Sequence, residues 1–405
     1  MDVAVPHFRG SSTHVMELAR HLNERGVEVH VIARKSNKSQ KSYEKIDGVH
    51  YYRLKRGIIF SSPKSSFANI ESKGSYRGST PRFIWKMYEF YLKTIFPLYA
   101  GVVAGKIVRD RELDVILERE SSFGAGAIAS MLTGRPFTLE VIGNRVTNFQ
   151  LKRSSKIIAY SKSMFRDLVN LSKIEIISAA VDTNLFTPLN KHAEEIREQL
   201  GLGSGPVIGY VGTFQEWHGI GELLDAARGV VKSYPNARFL MVGPYFRNME
   251  NLTKQLGLSN YFVFTGPVPY RRVPDYISAC DVLLAPYNPA KITSGEQVRR
   301  HGLGSPLKVF EYLSSGKPTI TTLVEPISSI ISDHFNGILI QPGDSVALEK
   351  AMIELLDSPN LASLIGKRGR ELVLEKYSWD HIASKVSTIL RDTKINLAKE
   401  EESDP

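Results

Sequence analysis

The second half of the sequence alternates short apolar segments with amphipathic ones, and this alternation limits the possible folds more than any other feature. The apolar segments have the length of buried strands, and the amphipathic ones repeat apolar residues at helical spacing. The strand-like segments are residues 206–212, 237–243, 261–266, 281–287, 318–323 and 337–342, and the helical ones are 219–234, 248–258, 273–280 and 345–358. Strands that alternate with helices in this way are typical of βαβ units in a parallel sheet.

The first half repeats the pattern less regularly, with a helical segment at 14–26 and strand-like segments at 27–33, 114–118, 136–142 and 156–161. A chain of 405 residues is long for one domain. We therefore predict an α/β fold of two doubly wound Rossmann-like domains that face each other across a cleft. In open parallel sheets ligands bind beyond the carboxyl ends of the strands, so this cleft is the expected site.

The domain boundary is expected in the polar stretch 187–206, which gives a first domain of residues 1–190 and a second of 191–405. The last helix, near 376–397, is expected to pack back toward the first domain.

Composition and cysteine content favour a folded protein of a reducing compartment. Hydrophobic residues make up 42% of the chain and charged residues 23%. The single cysteine, Cys280, excludes a disulfide within the chain. No apolar run reaches the roughly 18 residues of a membrane span, and the segment MDVAVPHFRG lacks a signal-peptide pattern. These features predict a cytoplasmic location.

Positive charge is concentrated in the first half, where residues 1–190 carry a net charge of +12 and residues 191–405 one of −2. Residues 51–100 alone contribute +7. Such charge is consistent with a solvated surface, an anionic acceptor or an anionic membrane surface. The segment 82–95 has the pattern of an amphipathic helix, so it lies either on a membrane or against its own domain. No nucleic-acid-binding motif is present, and no nucleic acid partner is expected.

The stretch SPLKVFEYLSSGKP, residues 305–318, has the composition of a short helix that binds an anion. Ser305 and Pro306 suit a helix start, and the residues after Ser315 suit its end. Lys308 would stand in the first turn, where the helix dipole disfavours a cation unless an anion binds there. The carboxylate of Glu311, one turn further on, could accept hydrogen bonds from a ribose diol. The alternative is a surface ion pair between Lys308 and Glu311.

Several motifs of other nucleotide-binding proteins are absent. No GxxxxGK[ST] and no dinucleotide-binding GxGxxG follow a strand. No Asp-x-Asp pair stands in a plausible site, so no metal site and no cofactor are predicted. Helix ends together with Lys308, His218 and Arg299 or Arg300 could then balance the charge of a bound diphosphate, although His218 could instead be a structural loop histidine and the two arginines could be merely solvated.

The chain resembles the family-4-type retaining glycosyltransferases of the GT-B fold, the glycosyl transferases group 1. The similar stretches occur in family order over nearly the whole chain. They include RGSSTHVMELARHLNERGVEVHV, YVGTFQEWHGIGELLDAA, VFTGPVPYRRVPDYISACDVLLAPY and SPLKVFEYLSSGKPTITT.

The resemblance implies a nucleoside diphosphate sugar in the second domain, with Glu311 at the ribose, Gly266–Val268 at the base and Gly212–Gly219 along the phosphates. It also implies that the turn Gly10–Thr13 faces the diphosphate and the acceptor. The expected substrate-binding residues are Gly10, Ser11, Ser12, Gly212, Thr213, Gly266, Val268, Arg299, Ser305, Pro306, Leu307 and Glu311, and the expected catalytic residues are Glu140, His218 and Lys308.

Four positions depart from the family pattern. Leu303 stands where many members have a second glutamate, and Thr213 and His218 stand where they have arginine and lysine. Glu140 stands where many have histidine. Glu140 could orient the sugar or the acceptor, or serve as a buried structural carboxylate.

The function implied by the resemblance is transfer of a hexose from a nucleotide sugar, such as a UDP-sugar, with retention of anomeric configuration. The acceptor would be a glycan or a lipid-linked molecule in cell-surface polysaccharide biosynthesis, and the enzyme would be peripheral at the inner membrane face. Two alternatives stay open at this point: a nucleotide-sugar epimerase of the same fold, and a non-catalytic basic binding protein on a transferase scaffold.

Overall fold

The computed structural model describes residues 5, 10–35, 39–55, 90–119, 124–142, 146–160, 171–189, 191–244, 248–291 and 306–403. The chain divides into two compact units. The first comprises Met1–Ile177 with Ala383–Pro405, and the second comprises Ser178–Ile382. The stretch 187–206, where the sequence predicted a linker, lies within the second unit and contains a helix, Ala193–Gln199.

The elements of the first unit are, in chain order, α1 (Gly10–Glu24), β1 (His30–Arg34), β2 (Tyr43–Ile46), β3 (Val49–Leu54), a π-helical turn (Tyr91–Ile95), α2 (Phe96–Asp110), β4 (Ile116–Arg119), α3 (Ala125–Thr133), β5 (Phe137–Val141), α4 (Asn148–Arg153), β6 (Lys156–Ala159), a 3₁₀ turn (Leu171–Lys173) and β7 (Ile174–Ile176). They form two sheets. One has the strand order β1-β3-β2, and the other has the order β4-β5-β6-β7 with all strands parallel.

Apolar packing positions α1 and α2 against the three-stranded sheet. Ala19 of α1 packs with Ala33 and Val49, and Phe96 and Ala100 of α2 pack with Leu54. A cavity of about 640 Å³, lined mainly by apolar residues of α1, β1, α2 and β4, lies within this unit.

The elements of the second unit are α5 (Ala193–Gln199), β8 (Val207–Val211), a 3₁₀ turn (Glu216–His218), α6 (Ile220–Ser233), β9 (Arg238–Val242), α7 (Asn248–Gln255), β10 (Phe262–Gly266), a 3₁₀ turn (Tyr270–Arg272), α8 (Val273–Ser278), β11 (Val282–Ala285), α9 (Leu307–Ser314), β12 (Thr319–Thr322), β13 (Ile338–Ile340), α10 (Ser345–Asp357) and α11 (Pro359–Lys376). Short 3₁₀ turns also occur at Ser259–Tyr261, Pro289–Lys291 and Ile327–Ser329. The final helix, α12 (Trp379–Ser403), begins in this unit and continues as part of the first.

The strands of the second unit form one parallel sheet in the order β10-β9-β8-β11-β12-β13. This is the doubly wound arrangement, in which the strand order reverses between the first strand and the fourth. Here β8 and β11 flank the reversal. Their residues are buried without exception, since both faces of the sheet are covered by helices.

The α/β architecture with two Rossmann-like parallel sheets confirms the predicted fold class. The strands of the second unit lie within one or two residues of the predicted segments, because runs such as Val207–Val211 are apolar throughout. The hairpin strands β2 and β3 were not predicted. Of the segment 82–95, residues 82–89 lie outside the described residues, and the rest belongs to the π-helical turn before α2. Among the described helices, none combines the length and apolar character needed to cross a membrane.

Candidate functional site

The carboxyl edge of the second unit's sheet is the natural place for a ligand. At the reversal between β8 and β11 the loops that follow the two strands turn to opposite faces, which leaves a crevice at the strand ends. The residues that follow β8 include Gly212 and Thr213, and those that follow β11 include Tyr287. Helix α9 presents its amino-terminal turn, with Lys308, to the same edge, because Lys308 contacts Tyr210 of β8.

Three neighbouring strands end in glycines with positive φ, namely Gly212, Gly243 and Gly266 (φ 145°, 134° and 70°). The backbones are close: Gly212 N donates to Val242 O at 2.9 Å, and Gly243 N donates to Gly266 O at 3.0 Å. A Cβ atom on Gly243 would lie only 2.0 Å from Gly212 O. The three strand ends thus present backbone without side chains, which allows close approach of a flat or phosphate-bearing ligand. Gly212 and Gly266 were predicted site residues, whereas Gly243 was not.

Helix α9 begins one residue later than predicted. Pro306 is its N-cap residue, and proline has no side-chain group that could cap the helix. Leu307 is the first helical residue, so the expected helix start at Pro306 is wrong by one residue. Several backbone N–H groups of the first turn therefore keep no partner within the helix. Such a helix start suits an anion.

Lys308 lies among aromatic side chains. Its Nζ donates to the hydroxyl of Tyr210 at 2.9 Å and lies 4.3 Å from the centroid of that ring and 5.2 Å from the ring of Tyr287. Burial lowers the pKa of Lys308 to about 7, against an opposing influence of Glu311. While no anion contacts it, Lys308 is therefore only partly protonated near neutral pH.

Glu311 is also buried, with 9% of its surface exposed. Burial raises the pKa of Glu311 to about 7, although a hydrogen bond with Tyr270 and the charge of Lys308 oppose this shift. Tyr270 follows Gly266 and Val268, the segment expected at the base, so it connects that segment to Glu311. The burial of Glu311 excludes the alternative of a surface ion pair between Lys308 and Glu311.

Lys308 and Glu311 can therefore bind a ligand that carries both an anionic group and hydrogen-bond donors. Burial brings the pKa of both groups near 7, so each group has a protonated and an unprotonated form close in free energy. An anion beside Lys308 favours the ammonium form, and hydroxyl donors beside Glu311 favour the carboxylate. A nucleoside diphosphate carries both kinds of group.

His218 lies in the turn before α6, but its charge differs from the expectation. Burial, reinforced by the charge of Lys308, lowers the pKa of His218 to about 3. Its Nδ1 lies 2.5 Å from the backbone oxygen of Thr213, so Nδ1 carries the proton and donates. The imidazole is then neutral at pH 7. In the unliganded protein its ring therefore fixes the turn that begins at Gly212 through the contact with Thr213, and a role of His218 at a diphosphate stays a prediction.

The first unit holds a second polar cluster, at the carboxyl ends of β4 and β5. Arg119 Nη1 and His14 Nε2 lie 2.7 and 2.9 Å from the same oxygen of Glu140, Oε1. Burial would raise the pKa of Glu140, but Arg119 and then His14 more than offset it and lower it to about 2. Glu140 is therefore ionised at neutral pH. The sequence indicates Arg119 as a weaker candidate for the cleft, but not that Arg119 and His14 contact Glu140.

The remaining predicted residues fall in two groups. Gly10, Ser11 and Ser12 form the start of α1, so the predicted turn Gly10–Thr13 is the first turn of a helix, and Ser12 is fully buried. Thr213 is exposed, and Val268 and Leu307 are partly buried. The predictions for Arg299 and Ser305, together with Arg300 and Leu303, lie outside the described residues.

Comparison with protein families gives matches to both halves of the chain. Residues 8–185 match the profile of Glycosyltransferase Family 4, and residues 192–372 match that of Glycosyl transferases group 1. Among curated proteins, an uncharacterized glycosyltransferase of Methanocaldococcus jannaschii is 22% identical over 93% of each chain. A D-inositol 3-phosphate glycosyltransferase of Corynebacterium aurimucosum is 24% identical over 95% of this chain and 91% of its own. A GDP-mannose-dependent phosphatidylinositol monomannoside mannosyltransferase of Mycolicibacterium smegmatis is 25% identical over 57% of this chain and 60% of its own.

Solved structures show the same fold. A glycosyltransferase of Rickettsia africae superposes with a TM-score of 0.72 at 16% identity, over 97% of both chains. Anabaena HepE, solved in complex with UDP and glucose, superposes with a TM-score of 0.69 at 15% identity, over 96% of this chain and 98% of its own.

Proposed function

The chain belongs to the glycosyl transferases group 1 family and has the GT-B fold, and from this premise we propose that it transfers a hexose from a nucleoside diphosphate sugar to a glycan or lipid-linked acceptor. The observation that carries the proposal is the placement of Lys308 and Glu311. Glu311 is buried and Lys308 is partly buried, and both lie at the carboxyl edge of a doubly wound sheet, beside three glycine strand ends. Retention of the anomeric configuration is part of the proposal and rests on the family resemblance.

The donor is proposed to lie along this edge with its diphosphate at Lys308 and the start of α9. Its ribose hydroxyls would donate to Glu311, and its base would meet the backbone near Gly266 and Val268. In the transfer step the bond between the anomeric carbon and the diphosphate oxygen breaks, and the acceptor oxygen bonds to that carbon. The acceptor hydroxyl proton leaves with the diphosphate. Lys308 stabilises the charge that develops on the leaving group.

Glu140 is proposed to accept a hydrogen bond from a substrate hydroxyl. Arg119 and His14 both contact Oε1, and among the described residues no hydrogen bond uses Oε2. An ionised carboxylate with one committed and one available oxygen is a strong, fixed acceptor. This arrangement supports an orienting role and not a role as nucleophile or proton donor.

A thermal-shift screen against UDP-, GDP- and ADP-sugars tests the donor proposal, since a ligand that binds only the folded state raises the apparent stability. We expect one nucleotide series to raise Tm and the free sugar to leave it unchanged. Release of nucleoside diphosphate that depends on an added acceptor would separate transfer from epimerisation. Absence of any shift with all three series would contradict the proposal.

Transfer is expected to proceed without a divalent metal. Among the described residues, no group of acidic, histidine or cysteine side chains at the second unit's sheet edge is spaced to hold an ion. Lys308 and the first turn of α9 are proposed to stabilise the charge of the diphosphate in place of a metal ion. Turnover in excess chelator should therefore equal turnover in untreated protein. A strict requirement for magnesium or manganese would contradict this expectation.

The first unit is further proposed to bind anionic membranes, which would bring the enzyme to a lipid-linked acceptor. Helix α2 exposes Leu98, Tyr99 and Val102, and Phe90 before it is 61% exposed. This apolar surface overlaps the end of the basic segment 51–100, and the two together suit an anionic bilayer surface.

Flotation with anionic vesicles should recover the protein at low salt and progressively less as salt rises. Leu98→Ser with Val102→Ser should reduce recovery, because apolar area is lost. Leu374→Ser, at a similarly exposed leucine of α11 in the second unit, serves as the matched control and should not. Failure of the wild-type protein to float at low salt would count against membrane binding.

A further inference from the structure

Three residues at one end of the three-stranded sheet bring potential metal ligands together. His30 begins β1, and His50 of β3 is its direct register partner on the neighbouring parallel strand. Glu28 lies two residues before β1. One ligand atom from each of the three lies within 4.8 Å of the other two, and His30 Nε2 is 2.8 Å from Glu28 Oε1. The two imidazole rings stack with centroids 4.5 Å apart.

Two tyrosine hydroxyls hold the other nitrogens of these rings. His30 Nδ1 lies 3.3 Å from the hydroxyl of Tyr52, and His50 Nδ1 lies 2.9 Å from the hydroxyl of Tyr43. A metal-bound histidine usually donates its second ring N–H to such a partner, which fixes both tautomer and orientation. Zinc binding at the Nε2 atoms would require each Nδ1–H to donate to its tyrosine hydroxyl, and the ion would replace the proton that lies between His30 Nε2 and Glu28 Oε1.

Other contacts between histidine and carboxylate in the described residues lack this arrangement. His192 pairs with Glu195 at 2.8 Å and has no second histidine beside it. His334 contacts Asp333 through Nδ1 and Glu354 through Nε2, so its two carboxylates lie at different nitrogens and cannot share an ion with it. The Glu28 cluster therefore differs from these surface pairs in the geometry of its donors.

We propose that Glu28, His30 and His50 bind one zinc ion, independently of the transfer reaction. Two imidazole nitrogens and one carboxylate oxygen are a donor set that zinc takes in proteins, with a solvent molecule in the fourth position. Zinc bonds of about 2.0–2.2 Å place tetrahedral ligand atoms about 3.4 Å apart. The 2.8 Å contact between His30 Nε2 and Glu28 Oε1 must therefore open, any wider spacing must close, and the rings, now only 4° from parallel, must tilt toward one ion.

The ion would join β1 to β3 and so stabilise the three-stranded sheet of the first unit. Lys45 and Arg111 place positive charge within electrostatic range of His50, which weakens the attraction for a cation. The site is therefore proposed to be structural and exchangeable.

Titration of the full chain with zinc against a chromophoric chelator tests the proposal. We expect one ion per chain, and loss of that binding in His50→Ala and in His30→Ala. Tyr43→Phe keeps the ligands but removes the partner of His50 Nδ1, so it should weaken binding by about 10- to 100-fold. His192→Ala, which removes an unrelated surface histidine, should leave the affinity unchanged.

A second readout guards against variants that fail to fold. Zinc should raise the Tm of the wild-type protein and of His192→Ala but not that of His50→Ala, and the zinc-free Tm of each variant reports whether it is folded. Absence of saturable binding by the wild-type protein would overturn the proposal. Undiminished binding by folded His50→Ala would overturn it as well.

Discussion

Lys308→Met is expected to weaken the binding of nucleoside diphosphate about ten- to a hundred-fold while leaving the affinity for the free nucleoside nearly unchanged. Lys308 is the cation at the start of α9, and hydrogen bonds to charged groups contribute about 1.5–3 kcal/mol. At about 1.4 kcal/mol per decade, this gives the stated range. Methionine is a good helix former of similar length, and it removes a charge whose burial is costly. Calorimetric titration with diphosphate and with nucleoside measures both affinities.

Lys317→Met is the matched control for this prediction. Lys317 is also partly buried in the second unit, and its Nζ donates to Ser278 O at 2.9 Å. It precedes β12, so it lies at the amino edge of the sheet, away from the proposed donor site. This control should bind both ligands with wild-type affinity. Equal losses for nucleoside and diphosphate in Lys308→Met would show that the lysine does not contact phosphate.

Glu311→Gln is expected to weaken nucleoside and nucleoside diphosphate alike, by about ten- to a hundred-fold. Both ligands carry the ribose whose hydroxyls are proposed to donate to the carboxylate. Glutamine keeps the shape and can keep the hydrogen bond with Tyr270, but it loses the charge and one acceptor. Calorimetric titration gives the two affinities, and thermal melting without ligand shows whether the fold is intact.

A 2′-deoxynucleoside diphosphate sharpens the test of Glu311. It lacks one of the hydroxyls, so it should bind the wild-type protein more weakly than the ribose form. The difference between the two ligands should shrink in Glu311→Gln, because the variant and the analogue remove the same interaction. If the two losses simply add, Glu311 does not contact the 2′-hydroxyl of the ribose.

The sequence identified the fold through residues whose environment follows from their own pattern. Strands such as Val207–Val211 are buried on both faces and are therefore apolar throughout, which makes them recognisable without a partner. Lys308 and Glu311 were found because a cation in the first turn of a short helix conflicts with the helix dipole. Both signals are local to a short stretch of the chain.

Other features depend on contacts between distant segments and left no local signal. Tyr210 and Tyr287 surround Lys308 only because β8 and β11 are neighbours in the sheet. The neutral state of His218 follows from its burial, which the turn sequence does not reveal. Arg119 and His14 meet Glu140 across β4, β5 and α1, and the zinc ligands meet through the pairing of β1 with β3. Each of these requires the tertiary fold.

Burial also predicts how donor binding depends on pH. The pKa of Lys308 is about 7 in the unliganded protein, and contact with a diphosphate raises it. At pH values between the pKa of Lys308 in the unliganded protein and its higher pKa in the complex, binding of the diphosphate takes up a proton. The contribution of Lys308 to affinity therefore falls as pH rises through this range. The second phosphate ionisation, with a pKa of about 6, is nearly complete at the start of this range. Glu311 acts on the ribose of nucleoside and diphosphate alike, so its effect cancels in the ratio of their affinities.

The most direct test of the proposed donor site is the ratio of diphosphate to nucleoside affinity, measured by calorimetry from pH 7 to pH 9 in the wild-type protein and in Lys308→Met. The wild-type ratio should fall with rising pH, by at most about tenfold per unit, since one proton is taken up. The ratio in Lys308→Met should be small and independent of pH. A wild-type ratio that stays constant over this range, or one that falls equally in the variant, would contradict the placement of the diphosphate at Lys308.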